Sequence, residues 1–285
     1  MTEVLLDAVI DSIKILPFLF LAYLAMEWIE SRENERTVHM IRKSGRFGPV
    51  AGGVLGVLPQ CGFSAAAANL YAGRVITVGT LLAVFLSTSD EMLPILLSET
   101  AKGLSVLVIV KILVLKAGVG MMVGLLVDLA VRKNHDAGEE LHMHDLCEHD
   151  HCHCERGIWY SALMHTLQMI LFIFAVTLAL GFLIHLVGEE AISGLILNRP
   201  VLGEFLAGLV GLIPNCAASV VLTQLYVQGA MGGGAMMAGL FVSAGVGILV
   251  LCRTNHHLKE NVRIILLLYI TGVTAGMLVS ALGLL

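Results

Sequence analysis

One apolar motif occurs twice in this chain, and each copy is interrupted by proline and polar residues. The copies read Pro59-Gln60-Cys61-Gly62-Phe63-Ser64 and Pro214-Asn215-Cys216-Ala217-Ala218-Ser219. At a constant offset of 155 residues, nine of 31 aligned positions around the motif are identical. Shared hydrophobic composition does not account for this agreement, because the matches include glycine, proline, cysteine, serine and tyrosine. The chain is therefore predicted to contain two related halves with broken apolar segments at corresponding places.

The composition predicts a membrane protein. Of the 285 residues, 57% are apolar and 14% are charged, and the mean hydropathy is +0.88. Each of four apolar stretches, near residues 9–29, 103–131, 160–187 and 262–285, could cross about 30 Å of hydrocarbon as a helix. We expect an all-α, multi-pass protein of the inner (cytoplasmic) membrane. Met1 is followed by acidic rather than basic residues, so the first helix is expected to be retained.

A hydrophilic loop divides the two halves. The predicted units are a first transmembrane repeat (1–134), a cytoplasmic loop (135–157) and a second transmembrane repeat (158–285). If the broken segments return as hairpins, the basic residues outside the apolar segments face the cytoplasm, except Lys102 and Arg199. The positive-inside rule thus favours inverted repeats with the N-terminus outside, six full crossings and two re-entrant hairpins, or about ten helical segments. If each broken segment crosses once, the result is an eight-crossing parallel repeat.

The interruptions are the predicted substrate site, because unwound backbone at membrane depth requires a buried polar role. Asp90 and Glu91 lie between two apolar runs, where carboxylates cost several kcal/mol unless they are solvated, paired or bound to a cation. The alternative is a short external loop that caps a helix. The candidate substrate-binding residues are Gln60, Cys61, Ser64, Thr88, Ser89, Asp90, Glu91, Asn215, Cys216 and Ser219.

The types of side chain leave the substrate open. Carboxylate and amide oxygens suit hard divalent cations, whereas Cys61 and Cys216 suit softer ions or trivalent metalloids. Both cysteines could instead be small apolar fillers. Lys14, Lys111 and Lys116 would favour an anion if they lined the pathway.

Three polar residues in the first helices of the two halves are candidates for proton coupling. Asp11 and Lys14 share one helix face, and His165 lies at the corresponding place in the second half. Histidine is the side chain that titrates near neutral pH. A structural hydrogen bond would explain His165 equally well.

The central loop is the clearest compositional signal. Six histidines and three cysteines lie between residues 135 and 154, together with several acids. These side chains are ligands for transition metals, but no fixed zinc-finger spacing is present. The loop is expected to be a flexible metal collector, and a plain polar linker is the alternative. The predicted metal ligands are His142, His144, Cys147, His149, His151, Cys152, His153 and Cys154.

No nucleotide-binding loop and no hydrolase motif is found, so an enzyme is not expected. The doubled Pro-polar-Cys breaks, the stretch Ser87-Thr88-Ser89-Asp90-Glu91 and the His-rich loop resemble the ten-helix heavy-metal exporters. That family is also labelled as arsenic efflux proteins or manganese transporters. The resemblance extends over essentially the whole chain and implies an inner-membrane permease that moves a metal or metalloid outward without an ATPase domain of its own.

The leading hypothesis is a secondary-active, proton-coupled exporter of a manganese-like cation or an arsenic species. It would contact the lipid bilayer and its metal or metalloid substrate, but no nucleic acid, and would require no cofactor. An organoarsenical or oxyanion permease is one alternative, and a membrane metal sensor or storage protein is another. Whether the protein forms a homo-oligomer is left open.

Overall fold

The computed structural model describes residues 9–10, 12–13, 15–17, 19–25, 47–58, 61–89, 92–100, 105–134, 158–187 and 202–285. These residues form helices joined by short turns, and no strand occurs among them. The all-α, polytopic prediction is therefore confirmed. The predicted His/Cys loop lies outside the described residues.

The described helices of the two halves follow the same order. In the first half, α1 contains the described residues between 9 and 25, and the next helices are α2 (Gly48–Gly56), α3 (Cys61–Ala72), α4 (Val78–Ser87), α5 (Met92–Thr100) and α6 (Val106–Asn134). In the second half, the helices are α7 (Ile158–Val187), α8 (Leu202–Gly211), α9 (Cys216–Val227), α10 (Gly233–Val242), α11 (Gly247–Thr254) and α12 (Leu258–Ala281).

Local sequence explains where several helices begin. Pro49 lies in the first turn of α2, where its missing N–H is not needed. The Thr77 side chain caps α4 by accepting a hydrogen bond from the Thr80 amide at 3.1 Å. The Asn215 side chain caps α9 in the same way, through the Ala217 amide at 3.2 Å. The polar residues at the breaks thus start the next helix.

Within the part of the chain that the structure describes, four segments are long and apolar enough to cross a membrane, and they fall into two classes. Two are broken helices in the protein core: Val78–Thr100 is 75% buried and Gly233–Thr254 is 89% buried. The other two are continuous, and Val106–Val131 (22% buried) and Leu258–Ala281 (39% buried) leave most of their surface outside the core. The broken helices therefore occupy the centre, and α6 and α12 present apolar faces outward, as lipid contact requires.

The segment α2–α3 is a hairpin. Along α2, Gly48 lies beside Thr80 and Gly56 lies beside Ser87, so α2 and α4 run in the same direction. Because α3 connects the end of α2 with the start of α4, it must run back in the opposite direction.

Close helix crossings recur in both halves. In the first half, a Cβ on Gly124 would clash with the carbonyl oxygen of Gly79, where α6 crosses α4. In the second half, a Cβ on Gly276 would clash with Ala238, where α12 crosses α10. Small residues permit this backbone approach in membrane helices. Each half thus contains the same three-helix unit, α2–α4–α6 or α8–α10–α12.

The two halves interlock through reciprocal contacts. The hairpin helix α3 packs against α11 of the second half, and the corresponding helix α9 packs against α5 of the first half. The central helices α4 and α10 also touch. The breaks of both halves are thereby held inside a shared core.

Candidate functional site

The break between α4 and α5 is built from three consecutive hydroxyl residues. Ser87 Oγ donates to the Ala83 carbonyl at 2.7 Å, and Thr88 Oγ1 donates to the Val84 carbonyl at 2.7 Å. Ser89 points the other way and donates to the Val57 carbonyl at 2.5 Å. The first two hydroxyls terminate α4 by bonding to its last turn, and Ser89 ties the break to the tip of the α2–α3 hairpin.

The described residues of this break lie inside the protein. Ser87, Thr88 and Ser89 are all buried. The described part of the break is therefore enclosed by protein. The side chains of Gln60, Cys61, Asp90 and Glu91 lie outside the described residues.

Ser64 belongs to the same region. It is fully buried on the first turn of α3, and Gly247 at the start of α11 lies against it. A Cβ on Gly247 would come within 2.9 Å of the Ser64 Cβ and of the Phe85 ring. Glycine at position 247 therefore allows the start of α11 to reach the hairpin helix and the end of α4 together.

The second half places its polar residues at the corresponding break. Asn215 caps α9, Cys216 is buried, and Ser219 Oγ donates to the Cys216 carbonyl at 2.8 Å. The break between α10 and α11 contains Ser243 and Gly245, and Gly245 has a φ of +52°. That backbone conformation is strained for residues other than glycine, so Gly245 suits the turn between the two half-helices.

Two polar side chains at these breaks are buried without hydrogen-bond partners. Both amide atoms of Asn69 on α3 lack a partner, and so does the hydroxyl of Ser243 after α10. Leaving such groups unpaired costs about 1–3 kcal/mol each.

A buried lysine joins the halves beside the second break. Lys116 on α6 is fully buried and donates its ammonium to the carbonyl oxygen of Leu240. Its Nζ also lies 5.5 Å from the centroid of the Phe241 ring. The last carbonyls of α10 have no helical N–H donors, because the helix stops there. Lys116, from the opposite half, supplies a donor for one of them.

The chain matches one family model over residues 1–180, and the description of that family is "Putative, 10TM heavy-metal exporter". The chain belongs to this family. No curated protein and no solved structure matches it. The resemblance predicted from the broken motifs is therefore confirmed. The family match ends within α7, and the second half repeats the helix order of the first.

Membership in a family of ten-transmembrane exporters agrees with the apolar helices and makes this a multi-pass membrane protein of the transporter type. The residues that would hold a metal are not tested by the family match. Among the residues that the structure describes, no group of three or more His, Cys, Asp or Glu side chains could hold a metal ion. Asp90, Glu91 and the predicted ligands from His142 to Cys154 lie outside them.

Of the residues predicted to couple protons, only the position of His165 is described. Its ring stacks on Tyr23, with 5.3 Å between the ring centroids and 14° between the planes. His165 thus lies in the contact between α7 and α1. The helix breaks are formed instead by α3, α4 and α11. Asp11 and Lys14 are not among the described residues.

The structure also contains a polar network that sequence analysis did not single out. At the end of α3, Arg74 binds Glu260 on α12 through two bonds of 2.7 and 3.0 Å. Tyr71 donates its hydroxyl to the same carboxylate, and Asn255 Nδ2 donates to it at 3.2 Å. The only sequence signal for this network was the repeat itself, in which Tyr71 matches Tyr226.

Proposed function

We propose that this protein is a secondary-active exporter of a heavy-metal ion or metalloid in the inner membrane, coupled to protons. The observation that carries the proposal is the pair of buried helix breaks at corresponding positions, lined by polar atoms from both halves. Broken helices meeting at the centre of a repeat protein are the usual design of a transporter's binding site. Membership in the exporter family supplies the class of substrate.

Helix directions support opposite orientations of the two halves. Helix α3 runs opposite to α4, and α3 and α11 run in parallel, with Ser64 beside Gly247 at their starts. At their far ends, Arg74 contacts Glu260, which follows α11 closely in sequence. Helix α11 thus runs opposite to α4.

The central helix of the second half has the same direction as α11. Val242 at the end of α10 lies beside Gly272, and Ala238 lies beside Gly276, so α10 and α12 are antiparallel. Helix α11 must continue away from α10 to reach the start of α12. Helix α10 therefore runs opposite to α4, which supports the inverted-repeat proposal. In such an arrangement, moving one half against the other would expose a central site to each side in turn.

The first set of candidate ligands favours a hard cation. Asp90 and Glu91 directly follow the buried hydroxyls of Thr88 and Ser89 in the first break. Carboxylate and hydroxyl oxygens together suit a manganese-like divalent ion. Cys61 and Cys216 would instead be the ligands of an arsenic species.

A second candidate is an oxyanion permease, which is favoured by Lys116. A fully buried ammonium in the core is costly and is functional by default in a membrane protein. It lies beside the break of the second half, where an anion could accept its hydrogen bonds. Lys111 is exposed on the outside of α6, so the two lysines do not share one face.

Flux in sealed proteoliposomes tests these candidates. The purified protein is supplied in turn with manganese, zinc, arsenite, an organoarsenical and phosphate, under an imposed pH gradient. We expect gradient-dependent transport of a metal or metalloid. Transport of phosphate alone would establish the oxyanion candidate. Binding without transport of any of these ions would contradict the exporter proposal and favour a sensor or storage protein.

Two double variants test which side chains bind the substrate. Replacing Asp90 by Asn and Glu91 by Gln should abolish divalent-metal flux while membrane insertion is kept, because the charges are lost and the shapes remain. Unchanged flux would exclude the acids as ligands. Replacing Cys61 and Cys216 by Ser should spare manganese and abolish arsenite transport. Equal loss of both would point to a packing role for the cysteines.

We further propose that the loop of residues 135–157 collects metal at the cytoplasmic mouth. A tethered group of ligands raises capture at low free metal and adds little once the site is saturated. Deleting His142 to Cys154 should raise the metal concentration for half-maximal export and leave the maximal flux intact. Loss of flux at saturating metal would make the loop part of the conduit.

A further inference from the structure

Lys116 lies deep in the apolar part of the protein. It belongs to the apolar segment Val106–Val131, ten residues after its start and fifteen before its end, and its side chain is fully buried. A charged side chain near the middle of a membrane segment is costly and marks a functional site by default. Its hydrogen bond to the Leu240 carbonyl shows where the ammonium is held. The surroundings of that carbonyl indicate what else could be held there.

Lys116 stands between the breaks of the two halves. Gly124 of α6 lies against Gly79, near the start of α4. One turn earlier, Gly120 lies against Ser87 at the end of α4, so the two helices are antiparallel. Lys116 precedes Gly120 by a further turn on the same face of α6, so its backbone lies beside the break that follows Ser87. Its ammonium reaches the last turn of α10, at the break of the other half.

The end of α10 has the properties of a cation site. The helix stops at Val242, so the carbonyls of Leu240, Phe241 and Val242 have no N–H donor within the helix. The hydroxyl of Ser243, which follows directly, is buried and has no hydrogen-bond partner. These oxygens lie at the negative end of the helix dipole, where a cation is stabilised and an anion is repelled. Carbonyls at the ends of half-helices bind cations in secondary transporters.

Glycine occupies the position of Lys116 in the second half. On α12, Gly276 has the place that Gly120 has on α6, since each lies against the corresponding alanine of the central helix. One turn before Gly276 is Gly272, which therefore corresponds to Lys116. The ammonium at the end of α10 thus comes from the opposite half. A contact of this kind has to change when one half moves against the other.

We propose that the end of α10 binds the transported cation and that Lys116 is a tethered cation, which occupies this place until the metal ion displaces it. This assignment rests on the proposed export of a metal cation. The carbonyls of the last turn and the Ser243 hydroxyl would join the proposed ligands Asp90 and Glu91, and oxygen ligands suit a manganese-like ion. The metal ion and the ammonium exclude each other, because like charges repel strongly at short distance. After the metal leaves, Lys116 returns and pairs with the exposed carbonyl.

Metal binding in detergent tests the site without any transport. All variants are made in a full-length parent whose eight predicted loop ligands are replaced by serine, so that those side chains bind no metal. Manganese that binds the folded protein raises its melting temperature, which gives the affinity. Lys116→Gln should bind manganese about tenfold more tightly than the parent, because a site that is filled most of the time by its own lysine has a reduced apparent affinity. Lys116→Arg, which keeps the charge, should stay close to the parent.

Lys111→Gln removes a charge from the exposed side of the same helix and is the matched control, with no change in affinity expected. Manganese binding by Lys116→Gln that is equal to or weaker than that of the parent would overturn the proposal. Stabilisation of the parent by phosphate that Lys116→Gln loses would also overturn it, since Lys116 would then bind an anion. If Lys116→Gln does not fold, Lys116→Met, which is uncharged and of similar length, takes its place.

Ser243→Ala tests the ligands independently of the lysine variants. The buried hydroxyl is unpaired, so its removal should not lower the melting temperature of the metal-free protein. With manganese, the same variant should bind about tenfold more weakly, because it loses an oxygen that contacts the charged ion. A fall in the metal-free melting temperature with unchanged manganese affinity would give Ser243 a structural role and contradict the site.

Transport separates a failure of the tethered-cation role from a failure of the proposed function. In proteoliposomes, Lys116→Gln should lower the manganese concentration needed for half-maximal export. If the parent exports manganese and Lys116→Gln matches it in both assays, the export proposal stands and the tethered-cation role is wrong. If the parent transports none of the ions but shows the predicted binding differences, the export proposal is wrong and the end of α10 is still a metal site.

Discussion

Arg74 shows how much one residue contributes to joining the two halves. Its φ is +59°, in the left-handed region that costs a residue with a Cβ about 1–2 kcal/mol. That conformation directs the guanidinium toward Glu260, with which it forms a bidentate ion pair. The strain is thus offset by a contact that links the α3 hairpin to α12.

A double-mutant cycle measures this contact. The two side chains are only 19% and 27% exposed, so solvent screens them incompletely. Arg74→Ala and Glu260→Gln should each lower the free energy of unfolding by about 1–3 kcal/mol, because each removes one charge of a partly buried, hydrogen-bonded ion pair. The double variant should lose less than the sum, as chemical denaturation of the purified protein would show.

The exposed Arg263→Ala on α12 is the control and should change the free energy of unfolding little. If the losses from the Arg74 and Glu260 variants were additive, the two side chains would not act as a pair.

Sequence reasoning reached some residues and not others. The places of Ser64 and Ser219 could be predicted because these serines recur at a fixed offset, and the places of Thr88 and Ser89 because they interrupt an apolar segment. Arg74 and Glu260 are 186 residues apart and have no such pattern. Their pairing depends on α3 lying parallel to α11, which no local sequence signal specifies.

At the scale of elements, glycine crossings hold the three-helix units together. Helix α6 offers a matched pair of positions. Gly124 meets the Gly79 backbone, whereas a Cβ on Gly118 would have nothing within 4 Å. Gly124→Ala should lower stability by about 1–3 kcal/mol through overpacking. Gly118→Ala should be neutral or slightly stabilising, because alanine is the better helix former.

Melting temperatures of the two variants in the same detergent provide the check. If Gly118→Ala were as damaging as Gly124→Ala, glycine would be needed in α6 for its backbone and not for the crossing with α4.

The hairpin tip and the first break should work as one unit. The bond from Ser89 Oγ to the Val57 carbonyl is the described link between them. Ser89→Ala leaves that carbonyl without its donor, at a cost of about 1–3 kcal/mol. We expect reduced flux of the transported ion together with a modest fall in melting temperature.

Ser98→Ala provides the comparison, because its hydroxyl bonds only within its own turn of α5, to Ile95. Flux that is as high in Ser89→Ala as in Ser98→Ala would separate the hairpin tip from the transport path.

The whole molecule was predictable in outline because membrane insertion restricts it to helices, and the repeat then fixes their order. The broken segments predicted around the two copies of the motif correspond to the helix pairs α2–α3 and α8–α9. Which helices would pack between the halves was not predictable, since every apolar face is equally suited to lipid and to protein. The reciprocal contacts, α3 with α11 and α9 with α5, are therefore information that only the structure supplies.

These reciprocal contacts give the protein two seams between its halves. In an inverted arrangement, the α3–α11 seam and the α9–α5 seam would lie on opposite sides of the membrane. Opening one seam while the other stays closed is then the simplest way to alternate access. The seam at Arg74 and Glu260 is closed in the structure, and basic residues including Arg253 and Lys259 lie at the same end. By the positive-inside rule, that end is predicted to be cytoplasmic.

Thiol labelling of intact cells tests this orientation. In a variant whose Cys61, Cys216 and Cys252 are replaced by serine, the loop cysteines are the remaining thiols. A membrane-impermeant reagent should not modify them from outside, because the loop follows the cytoplasmic end of α6. The same reagent should modify them in inverted vesicles.

A cysteine at position 191, placed in an otherwise cysteine-free chain by Ala191→Cys, is the positive control for the outer side. Residues 189–199 are predicted to be periplasmic, so this cysteine should react in intact cells. If the loop cysteines reacted from outside while position 191 did not, the predicted orientation would be wrong, and the eight-crossing parallel repeat or an inverted repeat of reverse orientation would replace it. Reaction of both from outside would contradict both arrangements, because α7 would then not cross the membrane between them.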